Sequence, residues 1–202
     1  MKRAESLLEI LKVPEQGAKI SESAIVVVDA QREYRDGRLR LEGVDEALGE
    51  IGKLLERARS LSAPVFHIVH HAPGGAPIFD PEGPMSEIVD EVAPRNGEPI
   101  LPKNLPSGFV GTDLNKLLQE TGRSSLIITG FMTHMCVNAT ARSALDHGFQ
   151  PTVIASCCAT RDLPGSGGEG EVIPASVVHA SNLASLADLV SAVVDNVDSL
   201  DD

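Results

Sequence analysis

The sequence predicts one doubly wound, Rossmann-like α/β domain, with a mostly parallel central sheet and helices on both faces. Three observations predict it. Short apolar runs rich in β-branched residues alternate with stretches of helical periodicity along most of the chain. Several runs are apolar at consecutive positions, as strands covered on both sides must be. The length, 202 residues, is that of one domain and suffices for a full core without disulfide or metal staples. That core must be aliphatic, since aromatic residues are 3 % of the chain, with no Trp and one Tyr.

The elements follow in order. MKRAESLLEILKVPEQ reads as a short amphipathic helix; Glu5 and Glu9 interrupt its apolar part, which argues against a signal peptide. SAIVVVD (Ser23 to Asp29) is the first strand candidate. Val44 to Ser60 places Val44, Leu48, Ile51, Leu54 and Leu55 at helical spacing. APVFHIVHH (Ala63 to His71) is a second strand. Thr112 to Gly122 is a helix, with Thr112 as its N-cap and Gly122 as its stop. SSLIITG (Ser124 to Gly130) is a third strand, His134 to Gly148 a helix, and PTVIAS (Pro151 to Ser156) a fourth strand. Pro174 to Ala187 is a helix with proline in its first turn, and DLVSAVV is a last strand. Ala72 to Pro106 is longer than an ordinary connection, Arg161 to Glu171 reads as a mobile loop, and DNVDSLDD as a fraying end. The expected organisation is an N-terminal helical arm at 1–22, the domain at 23–195 and an acidic tail at 196–202.

Composition excludes some functions. There are 17 basic and 29 acidic residues, a net charge of −12, which opposes nucleic acid or a membrane surface as partner. No apolar run is long enough for a membrane span. Three cysteines, two of them adjacent (Cys157 and Cys158), make no disulfide framework, so a reducing cytoplasm is the simplest compartment.

In such a sheet, ligands sit beyond the carboxyl ends of the strands, where strand order reverses. Those ends offer Asp29, then His70 and His71, then Gly130 to Cys136. Cys136 falls in the first turn of a helix, where exposed N–H groups favour an anion and a reactive thiolate; the alternative is a small buried packing residue. Asp29, beside apolar residues, suits proton transfer or a turn cap. Lys103, in a stiff loop between two prolines, would steady nearby anions or lie solvated.

These three residues in this order carry a resemblance. The chain resembles the isochorismatase-like cysteine hydrolase superfamily, which includes nicotinamidases, N-carbamoylsarcosine amidase and streptothricin hydrolase. The resemblance runs through AIVVVDAQREY, LPKNLPSGFVGTDL, IITGFMTHMCVNATARSALDHGF and ASCCATRD, from about Ala24 to Leu189; GFMTHMCV is most similar to streptothricin hydrolase. It implies that Asp29, Lys103 and Cys136 are catalytic. It implies a cis peptide between Phe131 and Met132, with the backbone N–H groups of Met132 and Cys136 as oxyanion hole. It implies a homo-oligomer, a dimer or larger, acting on a small molecule; the expected chemistry requires no cofactor.

One departure stands out. Metal-binding nicotinamidases carry an Asp-x-His pair and a further His after the second strand; HIVHHAPGG lacks that Asp. His67 and His71 share one strand face and His70 takes the other, so no metal site is expected. His70 and His71 are read as ordinary strand-end residues, with lining of the pocket as the alternative. Gln31, Tyr34 and Thr133 are candidate substrate contacts, each with a turn or cap role as the alternative. His134, two residues before Cys136, cannot face it on a helix and is read as a helix-start or interface residue.

Three patterns are decoys. Gly165, Gly167 and Gly170 match G-x-G-x-x-G, but they do not link a strand to the helix it feeds, and Glu169 and Glu171 would repel phosphates. Asn138-Ala139-Thr140 matches a glycosylation site inside a helix. Cys157 and Cys158 are read as buried packing residues ending a strand. The expected activity is cysteine-dependent hydrolysis of a small amide, lactam or carbamoyl C–N bond through a thioester. The alternatives are vinyl-ether hydrolysis of the isochorismatase kind, which needs no thiol, and an idle binding scaffold.

Overall fold

The computed structural model describes residues 3–13, 17–168 and 170–202. Six parallel strands form the central sheet: β1 (Ser23–Val28), β2 (Val65–His70), β3 (Ile100–Lys103), β4 (Ser125–Phe131), β5 (Gln150–Ala159) and β8 (Ala192–Val194). Their spatial order is β3-β2-β1-β4-β5-β8, and every pairing between neighbours is parallel. Chain order runs outward from β1 to β3 on one side and from β4 to β8 on the other. The reversal therefore lies between β1 and β4, the crevice where ligands bind in such sheets.

The alternation of side chains along β1 explains its unbroken apolar run. Ile25 and Val27 enter one core cluster, packed with Val44, Ala47, Leu48, Ile51, Leu54, Leu55 and Ala58 of α2 (Val44–Ser60). Ala24, Val26 and Val28 enter the opposite one. There they meet α3 (Leu114–Glu120), α4 (Asn138–Asp146) and α5 (Ala175–Ala187) through Leu114, Leu118, Ala141, Ala144, Leu183 and Leu186. Each such side chain, fully buried, contributes roughly 1.5–3 kcal/mol for Val or Leu and less for Ala. Asp45 and Glu46 open α2, and Arg57 and Arg59 close it, so its charges complement the helix dipole.

Several expectations need correction. The N-terminal arm contains a short α1 (Leu7–Leu11), opened by a capping box between Ser6 and Glu9; residues 1–2 and 14–16 of the expected arm lie outside the described residues. The N-cap of α3 is Asp113, one residue later than predicted, although Thr112 Oγ1 does accept the Leu114 N–H at 3.2 Å. The segment expected as a helix from His134 begins as a π-turn, Thr133–Val137, and becomes α-helical at Asn138. The stiff loop around Lys103 is the edge strand β3, with Val69 opposite Pro102 and His70 opposite Lys103. Proline is tolerated there because an edge strand leaves one side unpaired.

Cys157 and Cys158 lie inside β5, which runs on to Ala159 through a register shift opposite Ile128 and Gly130. Arg161 to Glu171 includes β6 (Leu163–Pro164), which pairs antiparallel with β7 (Val172–Ile173) just beyond the segment; Glu169 lies outside the described residues. The acidic end does not fray. Val197 and Leu200 are buried, and Arg57 of α2 donates to the Val197 carbonyl at 2.7 Å. Two apolar side chains in DNVDSLDD outweigh its charge.

Candidate active site

Three side chains from distant parts of the chain meet at the switch point. Asp29 follows β1, Lys103 ends β3, and Cys136 sits on the π-turn after β4. Lys103 Nζ donates to Asp29 Oδ2 at 2.7 Å and to Cys136 Sγ at 3.3 Å. The side chains of Asp29 and Lys103 are 0 % exposed, and Cys136 is buried. Neither charge would be tolerated alone at that depth, so each requires the other.

The backbone sets these positions. Asp29 adopts a left-handed conformation, φ 51°, uncommon for a residue with a side chain. Its N–H bonds the Ile68 carbonyl at 2.9 Å, and its own carbonyl accepts the Gln31 N–H at 2.8 Å. Gly130 has φ +111°, and a Cβ there would stand 2.0 Å from the Val28 carbonyl oxygen. Only glycine lets β4 pass β1 this closely just before the turn. The Phe131–Met132 peptide is cis, in agreement with the resemblance. The Met132 carbonyl accepts the N–H groups of Met135 at 3.0 Å and Val137 at 3.2 Å. The second of these spans five residues and defines the π-turn, a rare feature often found at functional sites.

Electrostatics correct one expectation. Burial pushes the Cys136 thiol up to about 12, and the Asp29 carboxylate adds to the rise while Lys103 opposes it. The thiol therefore keeps its proton in the resting site. Cys136 lies on the π-turn ahead of α4, which begins at Asn138, and desolvation is the largest influence on it. Burial also raises Asp29, to about 6, against the pull of the Lys103 ammonium. Among the described residues, Asp29 Oδ1 is buried without a hydrogen-bond partner. A buried carboxylate oxygen left in that state is unusual, and it is an acceptor ready for a proton.

His70 joins the group. Its Nδ1 lies 3.3 Å from Lys103 Nζ. An ammonium only donates, so Nδ1 is the acceptor and the neutral ring carries its proton on Nε2. Burial, then Lys103 and His71, hold His70 down at about 4. Register pairing with Lys103 is what brings His70 here, and that register is invisible without β3. His71 contributes its backbone N–H to the Lys103 carbonyl at 2.8 Å. His67 is elsewhere, buried with Nε2 3.0 Å from Glu98.

The remaining candidates surround this group. Gln31 is fully buried; its amide donates to the carbonyls of His70 at 2.9 Å and Ser86 at 2.7 Å and accepts the His70 N–H at 2.8 Å. Both its donors are taken, so it braces the end of β2. Tyr34 packs edge-on against Phe79 and Phe131. Thr133 is fully buried, bonded to the Ala159 carbonyl at 3.1 Å and to His179 Nδ1 at 2.9 Å. His134 Nδ1 lies 2.6 Å from Thr160 Oγ1. Two Thr–His pairs thus hold the turn that carries Cys136, and sequence spacing gave no sign of them. A cavity of about 1020 Å³ lies at the opposite end of the sheet, beside Ser125, Gln150 and Ala192.

Residues 23–167 match the family model described as isochorismatase domain. The chain is 34 % identical over 193 residues to a secreted isochorismatase effector of Verticillium dahliae, covering 96 % of this chain and 98 % of that one. It is 30 % identical to streptothricin hydrolase of Streptomyces noursei, over 93 % of this chain and 74 % of that protein. It is 31 % identical to maleamate amidohydrolase of Pseudomonas putida, over 68 % and 72 % of the two chains. The crystal structure of an isochorismatase from Pseudomonas putida superposes with a TM-score of 0.90 at 36 % identity, covering 96 % of this chain and 97 % of that one. With this fold, this site geometry and a family match across most of its length, the chain belongs to the isochorismatase family of hydrolases.

Proposed function

We propose that the chain is a cysteine-dependent hydrolase of a small-molecule amide, lactam or carbamoyl C–N bond. The observation that carries the reading is the buried contact of Lys103 with both Asp29 and Cys136. Asp29, through Oδ1, takes the proton of Cys136 as Sγ attacks the carbonyl carbon. The N–H groups of Met132 and Cys136 hold the developing oxyanion, a contribution of roughly 3–4 kcal/mol in comparable sites. Lys103 steadies whichever partner carries the negative charge. Asp29 then gives its proton to the leaving nitrogen, and the acyl group remains on Sγ as a thioester. Asp29 next deprotonates a water molecule, which attacks the thioester; the acid leaves and Cys136 recovers its proton. Tyr34 and Thr133 frame the substrate pocket, and Gln31 positions its wall.

The kinship with maleamate amidohydrolase favours a C–N bond. The second reading, vinyl-ether hydrolysis, draws on the family name and on Asp29 as proton donor. Screening small amides for ammonia or amine release, with Cys136→Ala alongside the wild type, separates them. The amidase reading expects release by the wild type and none by the variant; an unimpaired variant overturns it and favours ether hydrolysis. We place the chain in a reducing compartment, the cytoplasm, as a homo-oligomer. Its three cysteines are free and buried, whereas the Verticillium relative is named as secreted. Among the described residues no helix is long and apolar enough to cross a membrane. Fractionation and light scattering test both placements; a secreted or monomeric chain would overturn them.

A further inference from the structure

Lys103 has to serve two partners at once, and an ammonium on a flexible stem does not hold one direction by itself. Its three N–H donors meet three acceptors: Asp29 Oδ2 at 2.7 Å, Cys136 Sγ at 3.3 Å and His70 Nδ1 at 3.3 Å. The first two serve the proposed mechanism, and the third does not. If Nδ1 is removed, one N–H of a buried ammonium loses its acceptor, which is costly. Turning the ammonium to find another acceptor draws the remaining N–H groups off Asp29 or Cys136.

His70 is itself held on every side. The Gln31 amide clasps its backbone, accepting its N–H at 2.8 Å and donating to its carbonyl at 2.9 Å. The β2–β3 register sets it opposite Lys103. Its ring stands edge-to-face on Phe79, with centroids 5.2 Å apart and planes at 80°. Phe79 comes from the long connection after β2. It is buried, and its φ is 53°, a conformation that a bulky side chain rarely adopts. Its carbonyl accepts the Ala72 N–H at 3.0 Å and closes the loop, and Tyr34 packs against the same ring with centroids 5.1 Å apart. A strained residue persists only where its surroundings fix it, and such residues gather at functional sites. Here the strained residue supplies the wall on which the imidazole of His70 rests.

We propose that His70 is a positioning residue for Lys103: its Nδ1 accepts the third N–H of the ammonium and so aims the other two at Asp29 and Cys136. This rests on the reading of Cys136 as nucleophile and adds a residue to it. His70 acts through Lys103 and needs no contact with substrate. Asparagine and glutamine distinguish the two ring nitrogens, since the amide of asparagine reaches the place of Nδ1 and that of glutamine the place of Nε2. Iodoacetamide, a small amide, reports on the thiol without knowledge of the substrate: an S–C bond forms, the C–I bond breaks, iodide leaves and the thiol proton is lost to base.

Rates of modification of Cys136 at neutral pH are read by peptide mass for the wild type, His70→Leu, His70→Asn and His70→Gln, with circular dichroism as the check on folding. The expected result is a rate about tenfold or more lower in His70→Leu, the worth of one hydrogen bond to a charged group. His70→Asn should recover most of that loss and His70→Gln should not, a contrast that a purely structural role would not produce. A wild-type rate in folded His70→Leu overturns the proposal and leaves the nucleophile reading intact. So does a rate in His70→Asn no higher than in His70→Gln, a comparison that decides alone if His70→Leu does not fold. Failure of iodoacetamide to modify Cys136 in the wild type overturns the nucleophile reading, and this proposal with it.

Discussion

Replacing Lys103 with Met removes the cation from a fully buried ion pair and keeps most of the side-chain volume. In the intact site Nζ lies 2.7 Å from Asp29 Oδ2, and both side chains are wholly inaccessible. Breaking such a pair from one side costs about 3–5 kcal/mol, because the remaining charge is uncompensated. The loss depends on pH, with a definite sign. Burial already raises Asp29 to about 6, and Lys103 is the main influence opposing that rise. Without it the folded-state pKa climbs further. Above pH 6 the folded variant then holds a proton that the folded wild type has released. The variant's stability relative to the wild type therefore falls as pH rises from 6 through its new pKa, by up to about 1.4 kcal/mol per pH unit. Below pH 6 the carboxyl is neutral in both proteins, and the deficit shrinks to about 1–2 kcal/mol of lost hydrogen bonding. Urea unfolding of both proteins at pH 5, 6, 7 and 8 measures it. A deficit equal at pH 5 and pH 8, or below about 1 kcal/mol at pH 8, would refute the reasoning.

On the proposed mechanism, the same carboxyl sets the acid limb of activity. Asp29 must be ionised to accept the thiol proton, so kcat/KM on a hydrolysed amide should fall about tenfold per pH unit below about 6; a flat profile from pH 5 to 8, with the fold intact by circular dichroism, would contradict the assignment. Gly130→Ala places a methyl group against the Val28 carbonyl at a φ that side chains rarely adopt. It should cost more than about 3 kcal/mol and yield little folded protein, and a variant with wild-type melting behaviour would show that β4 does not need the glycine.

The sheet was legible because its strands are covered on both faces: β1, β2 and β4 are buried at nearly every position and mostly apolar. β3 escaped notice because an edge strand needs no such run, and ILPK carries a proline and an exposed isoleucine. Missing β3 hid the partnership of His70 with Lys103, which exists only through register. Asp29, Lys103 and Cys136 were found through their order and the motifs around them, since nothing in local periodicity brings residues so far apart in sequence together. The protonation of Cys136 was misjudged for a related reason. Its place after a strand predicts a helix N-terminus, whereas its depth and the neighbouring carboxylate, both tertiary, decide its charge. Val197 and Leu200 show the same limit: the charge of the tail is plain in the sequence, and the burial of two side chains is not.

The account stands on Cys136 as the attacking atom. Quenching the protein in acid during turnover of a hydrolysed amide, then weighing the peptide that contains Cys136, tests this most directly. The predicted result is a mass increase equal to the acyl part of the substrate on that peptide, absent when the substrate is withheld. Steady turnover at the wild-type rate by Cys136→Ala, with no adduct on the wild-type peptide at any quench time, would contradict it.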